Sequence, residues 1–453
     1  MSCYIQYCHE CNIAICKAET DTDGVTYYHI KVNVGGVTWS VQKRYNQFLE
    51  LHKKLVNEHT VTKDILPGKK IIGNKDPNFI ERRRVGLEIY LQTVLSFLQK
   101  SMPEELLEFL EFHKYDVILI VKKLAVEFFK NGDDYLLNDN GFNFNVLLLY
   151  AISERLKLPC PDSENNEYNF SHVLDFCSKF KYLAIKGGNH YVGTSNIIYN
   201  KLSFELSSFK NVKKFECYNI AHNMIYNLMT LRDTVRIITV YNSKLKTPED
   251  ILLSDNVHKE WSSDMDSSMI WNKVKVVDFS WNEILTLKSL TVLTPNVKTI
   301  NLNGNLLNTI EDLSPLSYLS HLSLSSNNIT EVLNLHTKLG NVICLNLSSN
   351  KISNLEAFSK LFSLEMLDLG SNLVEDIDQL KHLSGLQNMN YLVLSGNPVS
   401  TIVDYRIKVL GILKKRTSDF CLDNERPTQK ELDTVAIMHA IKVAKEGKTL
   451  FDR

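Results

Sequence analysis

Arginine and lysine recur at three short stations near the front of this chain: Lys43-Arg44-Tyr45, Lys69-Lys70 and Arg82-Arg83-Arg84. A guanidinium offers a planar fork that matches the oxygens of a doubly charged phosphate, and an ammonium adds a mobile point charge. An aromatic ring beside them supplies a floor for the carbon face of a sugar-like ring. Arg44, Tyr45, Lys69 and Arg83 are the residue types that a grip on a phosphorylated ring requires. Lys43 and Lys70 are auxiliary cations next to them, and Ile71-Ile72 is an apolar pair suited to entering a lipid surface. Between Lys63 and Arg84 seven basic residues stand against three acidic ones, a local surplus of four. Each such charge near an anionic bilayer contributes about 1 kcal/mol, and each inserted isoleucine roughly 1.5–3 kcal/mol before ordering costs.

Other constellations carry less chemistry. Cys8-His9-Glu10-Cys11 has the spacing of half a zinc site, but no second half follows, and Tyr4 to Cys16 reads equally as a half-buried strand. Gly188 to Ser195 imitates a phosphate loop but has Thr194 where the lysine belongs, so the main cation for a nucleotide's terminal phosphates is missing. Nucleophile elbows, HExxH and kinase signatures are absent. The sequence therefore points away from an enzyme, and neither a cofactor nor a metal is expected.

The elements that must position the basic stations follow from pattern. Ile5 to Phe48 is rich in Ile, Val, Tyr and Thr, with turn residues at Asp21 to Gly24 and Gly35-Gly36, which predicts three strands. Helical spacing covers Phe48 to His59 and again about Phe79 to Lys100, with a loop from Ile65 to Gly73 between them. Pro103-Glu104-Glu105 starts a short helix ending near His113.

Lys43-Arg44-Tyr45-Asn46-Gln47-Phe48, Leu66-Pro67-Gly68-Lys69 and the run Arg83 to Leu91 resemble, in order and spacing, the three motifs of a PX (phox homology) domain. The resemblance implies an α+β fold of a three-stranded sheet plus helices. It also implies that Arg44 holds a 3-phosphate, Tyr45 underlies the inositol ring, Lys69 meets the 1-phosphate and Arg83 bonds the 4- and 5-hydroxyls. That set marks binders of phosphatidylinositol 3-phosphate. The family's proline-rich loop is reduced here to Pro67.

A second region repeats. Six segments beginning at Val274, Val297, Leu319, Val342, Leu364 and Met389 fit LxxLxLxxNxL, with steps of 23, 22, 23, 22 and 25 residues. Such a period means a leucine-rich-repeat solenoid, an α/β array in which each unit adds a short parallel strand and an asparagine satisfies backbone groups at the inward turn. Fainter copies lie at Val235, Val212 and Phe180, and an insertion falls around Ser254 to Asp266. Side chains flanking the inward residues form a small, mostly neutral face. Asp278 and Asp368 on it are four repeats, or roughly 19 Å, apart, too far for paired acid–base work, and His321 has no adjacent acid. Asp404-Tyr405-Arg406 with Val409, Leu410 and Leu413 resembles the helix that closes such arrays.

The expected organisation is a PX-like head over 1–114, a helical connector over 115–164, the solenoid over 165–400, and a cap and tail over 401–453. With 51 Lys+Arg against 52 Asp+Glu the net charge is -1, which provides no global field for nucleic acid. Nothing reaches the roughly 18 apolar residues of a membrane span, and nine cysteines without a signal segment suggest a reducing compartment. A PX-like head before a capped leucine-rich array is similar to the imidazoline-receptor-related adaptors. That resemblance implies peripheral residence on early or recycling endosomes, engagement of Rac- and Rab-family GTPases and of p21-activated kinase signalling, and restraint of cell migration; the alternative is a soluble repeat scaffold or a phosphatase- or kinase-regulating subunit whose head binds protein rather than lipid. An integrin α tail is a partner in that family, but it requires a region following the position of Arg453.

Overall fold

A computed structural model describes residues 11–34, 37–69, 76–98, 102–137, 141–158, 169–191, 198–253, 269–413 and 419–445. The chain divides into two units, one of residues 1–138, 144–177 and 187–205, the other of 139–143, 178–186 and 206–453.

In the first unit β1 (Asn12–Thr20), β2 (Thr26–Val34) and β3 (Val37–Arg44) form an antiparallel meander in the order β1-β2-β3. Their β-branched and aromatic residues alternate, so Ile13, Ile15, Ile30, Val32 and Val41 face the core. The first turn closes where the Asp21 carboxylate accepts the Val25 N–H at 2.7 Å. Helices α1 (Tyr45–Glu58), α2 (Pro77–Leu98) and α3 (Glu104–Phe109) follow. Phe48 of α1 meets Tyr28, Tyr90 and Phe109 edge-on, with centroids 6.1, 6.5 and 5.0 Å away. Full burial of such a side chain contributes about 1.5–3 kcal/mol. α2 also covers the edge strand: Glu88 Oε2 accepts the Ile15 N–H at 2.7 Å, Gln92 Nε2 donates to the Ile13 carbonyl at 3.1 Å, and Arg84 Nη1 donates to the Ile15 carbonyl. Those bonds satisfy backbone groups that an edge would leave open.

After α3 the chain does not pause. It turns at Glu111, whose φ is +58°, and enters α4 (Phe112–Leu137) at once. Phe112 packs edge-to-face on Trp39 at 5.1 Å, the Trp39 indole N–H donates to the Leu110 carbonyl at 2.9 Å, and Leu119 joins the same core. α5 (Val146–Lys157), capped by Asn145 Oδ1 on the Leu148 N–H at 2.9 Å, belongs to this unit as well. The start of the segment read as a connector thus packs on the head's core through Leu119 of α4, and α5 falls in the same unit.

Among its described residues the second unit carries ten parallel strands in chain order: β4 (Tyr182–Lys186), β5 (Lys214–Tyr218), β6 (Ile237–Tyr241), β7 (Val276–Asp278), β8 (Thr299–Asn301), β9 (His321–Ser323), β10 (Cys344–Asn346), β11 (Met366–Asp368), β12 (Tyr391–Val393) and β13 (Cys421–Leu422). The faint repeats lie in the same register: Leu183 pairs with Phe215, Phe215 with Ile238, and Ile238 with Val277. The insertion around Ser254 to Asp266 lies outside the described residues.

Six asparagines tie repeat to repeat. Asn350, 7% exposed, donates from Nδ2 to the Leu324 and Leu347 carbonyls at 2.9 and 3.0 Å, and its Oδ1 accepts the Ile329 N–H at 3.0 Å. Asn282, Asn305, Asn327, Asn372 and Asn397 are buried in the same way. Each meets donors and acceptors that a regular ladder leaves open where the chain turns inward. At the far end α6 (Tyr405–Ile412) closes the array. Tyr405 donates to Asp423 Oδ2 at 2.9 Å, and Asp423 Oδ1 accepts the Leu394 and Ser395 N–H groups at 2.7 and 2.8 Å in place of a further repeat.

Candidate functional site

Arg44 ends β3 and Tyr45 begins α1, so the strand-to-helix junction sets both. The Arg44 N–H donates to Gln47 Oε1 at 2.8 Å, which holds the first turn and leaves the guanidinium exposed. The Tyr45 ring turns inward, and its hydroxyl donates to the Pro67 carbonyl at 2.5 Å. One residue later the Gly68 carbonyl accepts from Arg83 Nη2 at 3.3 Å. Arg83 thus reaches the loop from α2, and Lys69, exposed, follows on the same loop.

Arg83 is the centre of the site. Its guanidinium lies 4.2 Å from the Tyr45 ring centroid and 4.3 Å from that of Phe79. Two aromatic faces therefore hold a cation only 9% exposed, and its Nε has no hydrogen-bond partner among the described residues. Cation–π contact offsets part of the cost of desolvating it. The same charge acts on its neighbours. Burial raises the Tyr28 and Tyr45 hydroxyls above their ordinary range, and Arg83 partly opposes that rise.

Among the described residues neither Arg44, Lys69 nor Arg83 meets a carboxylate at ion-pair distance. The neighbouring cations are engaged otherwise. Arg84 pairs with Glu81 at 2.8 Å and Glu88 at 3.4 Å while anchoring α2 to β1. Lys43, expected as an auxiliary cation, points to the opposite side of β3 from Arg44: it pairs with Glu111 at 3.5 Å and lies 5.4 Å from the Phe109 ring. Strand alternation is the reason. Lys70, Ile71 and Ile72 lie outside the described residues, as do Cys8, His9 and Glu10 and the second half of the phosphate-loop imitation.

Tyr45 also differs from expectation. It is read from sequence as the floor of a ligand ring, but it is 9% exposed and its face is taken by Arg83. Its position is that of a support for the guanidinium. Phe79, the second face of that support, goes unnoticed in the sequence, although it stands four residues before Arg83 on one helix, where side chains become neighbours. Gly86, one turn further on, is the other omission: a Cβ there would lie 2.9 Å from Pro67 Cγ, so only glycine lets this loop rest on α2.

On the array, Asp278 accepts from Ser280 and Asn301, and His321 Nδ1 sits 2.8 Å from Ser320 Oγ. Burial raises the Asp368 carboxyl, with Asp423 adding to the rise and the Gly370 N–H opposing it. A depression of about 380 Å³ on this face is lined by His321, Cys344, Met366, Asp368 and Tyr391. No helix among the described residues is long and apolar enough to cross a membrane.

The model of the PX domain family matches residues 32–113. Human sorting nexin-24 (Homo sapiens) is 38% identical over 93 residues, 20% of this chain and 53% of that protein. Kinesin-like protein KIF16B of Mus musculus is 36% identical over 75 residues, 16% of this chain and 6% of that protein. A solved leucine-rich-repeat protein of Leptospira interrogans, LIC12759, overlaps 58% of this chain and 60% of its own at 18% identity and a TM-score of 0.36. This chain therefore corresponds to about half of the sorting nexin and to a small part of the kinesin. Its head is a PX domain, and the parallel sheet that follows is a leucine-rich-repeat solenoid.

Proposed function

We propose that this chain is a non-enzymatic adaptor whose PX domain reads a phosphoinositide headgroup, phosphatidylinositol 3-phosphate, on early or recycling endosomes, while the repeat array holds signalling proteins. The observation that carries this reading is the cluster of cations that meets no acid among the described residues. Arg44 and Lys69 are exposed beside Arg83, and the Pro67 and Gly68 carbonyls tie their loop to Tyr45 and Arg83. Three positive groups held without acid partners among the described residues favour a compact, multiply charged anion. The names of the matched relatives, a sorting nexin among them, fit a role at sorting membranes. The succession of PX domain and capped leucine-rich repeats resembles nischarin, and on that resemblance the array's partners are Rac- and Rab-family GTPases and the p21-activated kinase pathway, with restraint of migration as the outcome. Linking an address to a docking surface raises the effective concentration of such partners at the vesicle.

Arg44→Ala tests the reading. Loss of one charge-assisted contact to phosphate costs about 1.5–3 kcal/mol, so flotation with phosphatidylinositol 3-phosphate liposomes should fall ten- to a hundredfold. The melting temperature should not move, because the side chain is exposed. Unchanged flotation would remove the membrane reading.

Gly86→Ala separates loop position from stability. Alanine gains roughly 1 kcal/mol of helix propensity, yet its methyl meets Pro67 Cγ at 2.9 Å and displaces the loop that carries Lys69. Denaturant stability is expected to hold or rise while liposome binding drops several-fold. Equal binding by the variant would mean that the loop does not contact lipid.

A further inference from the structure

Lys181, Lys213, Arg236, Lys275 and Lys298 each stand one residue before a strand, β4 to β8 in turn. Backbone bonds stack them: the N–H of Lys213 donates to the Lys181 carbonyl at 2.7 Å, Arg236 to Lys213, Lys275 to Arg236 and Lys298 to Lys275, each at 2.8 Å. With strands about 4.8 Å apart the row is roughly 19 Å long. Lys181, Arg236 and Lys298 are exposed, Lys213 and Lys275 half-buried. None of the five meets an acid at ion-pair distance among the described residues. The Lys275 ammonium instead donates to the Asn296 carbonyl at 3.4 Å and lies 5.7 Å from the Tyr318 ring. Beyond Lys298 the row continues as Ser320, Ile343, Glu365 and Asn390, so the charge is confined to one half of the array. Like charges side by side on neighbouring strands repel, and a solvated surface would intersperse acids. An uncompensated row is relieved by an external anion.

A second observation lies at the other end of β7. Trp281 is 54% exposed, with φ at +57°. The fold imposes that conformation throughout its column, where Gly304, Ser326, Ser349, Ser371 and Gly396 share it, all small residues. A bulky aromatic in the left-handed region is an outlier. Its ring rests on Gly304, where a Cβ would come within 2.7 Å of it.

We propose that the array docks an acidic protein segment bearing apolar side chains, its carboxylates along the row before the strands and an apolar residue on Trp281 at the other end of β7. The single-file row matches one polypeptide chain. A bilayer calls for a plane of cations, and Asp278 on the adjoining sheet face repels a broader phosphate backbone. The proposal rests on the adaptor reading only in taking the array as the protein-binding half; lipid recognition plays no part in it.

The test uses the full chain and fluorescence anisotropy of a short fluorescein-labelled peptide of repeated Glu-Glu-Leu, with oligothymidylate and phosphatidylserine vesicles as competitors. The triple variant Lys213→Glu, Arg236→Glu, Lys275→Glu should lose about 30-fold in affinity near 0.1 M salt and about threefold near 1 M, where the screening length falls to about 3 Å. Trp281→Ser should lose about fivefold while keeping the wild-type melting temperature, since serine holds that position at 326, 349 and 371. Arg44→Ala should bind the peptide like wild type, so that failure here and failure of lipid binding are read separately. Equal peptide affinity in wild type and triple variant overturns the proposal, as does displacement of the peptide by oligothymidylate or vesicles at lower concentration than by unlabelled peptide. Should the glutamate variant not fold, the corresponding glutamine triple gives the same readout with a smaller fold-change.

Discussion

Arg83→Met is expected to abolish phosphoinositide binding, by about a hundredfold, and to leave the PX unit as stable as before or more so by about 1 kcal/mol. Both halves come from one geometry. The guanidinium is nearly buried between Tyr45 and Phe79, with no carboxylate of the described residues at ion-pair distance. Desolvating an ion costs several kcal/mol, and two ring contacts return roughly 1–4 kcal/mol of it. A methionine keeps the apolar stem between the rings and removes the charge, so the fold has little to lose. The Gly68 carbonyl that Arg83 holds belongs to an exposed residue and can bond to water instead. A headgroup, by contrast, loses its oriented fork, and Arg83→Lys should rescue little because an ammonium does not fill the planar slot. Urea titration and liposome flotation on the same samples decide the matter. A methionine variant that floats like wild type would exclude Arg83 from the lipid site.

Asn350→Ala should destabilise the repeat array by about 3 kcal/mol or more, the largest stability effect anticipated from one exchange. Its amide bonds two buried carbonyls from successive repeats and accepts one buried N–H. Alanine leaves these groups inside without water, and each unsatisfied buried group costs about 1–3 kcal/mol. Relief through a movement of one repeat would open the contact with the next, since stacked repeats are stabilised mainly by their neighbours. Asn308→Ala, at an exposed position of the same array, should lie within about 0.5 kcal/mol of wild type. Denaturant midpoints of the full chain measure both. Equal midpoints for the two variants would mean that the asparagine ladder is ornamental.

The array was legible because its information is local. Each Leu and Asn of the repeat does the same task in every copy, so spacing alone places Leu345, Leu347 and Asn350 in strand and turn. The faint copies at Leu183, Phe215 and Ile238 continue that register. In the head, the basic stations and their order identify the domain, and the strand-to-helix junction at Arg44 follows from composition.

What the linear order did not contain was direction. Lys43 and Arg44 are neighbours in sequence, but alternation along β3 sends one to Glu111 and leaves the other exposed. Tyr45 looks like a ligand's floor until the approach of α2 puts Arg83 on its face. The stretch from residue 115 reads as a connector until Leu119 ties the start of α4 to the head's core. The cationic row is invisible at the spacing of its members, which ranges from 23 to 39 residues, and exists only because parallel pairing brings one position of five strands side by side. Sequence by itself determined which elements form, since periodicity and turn chemistry act over a few residues. The tertiary structure decided which charges are used up and which stay free, because an ion pair or a stacked ring depends on partners that only long-range packing supplies.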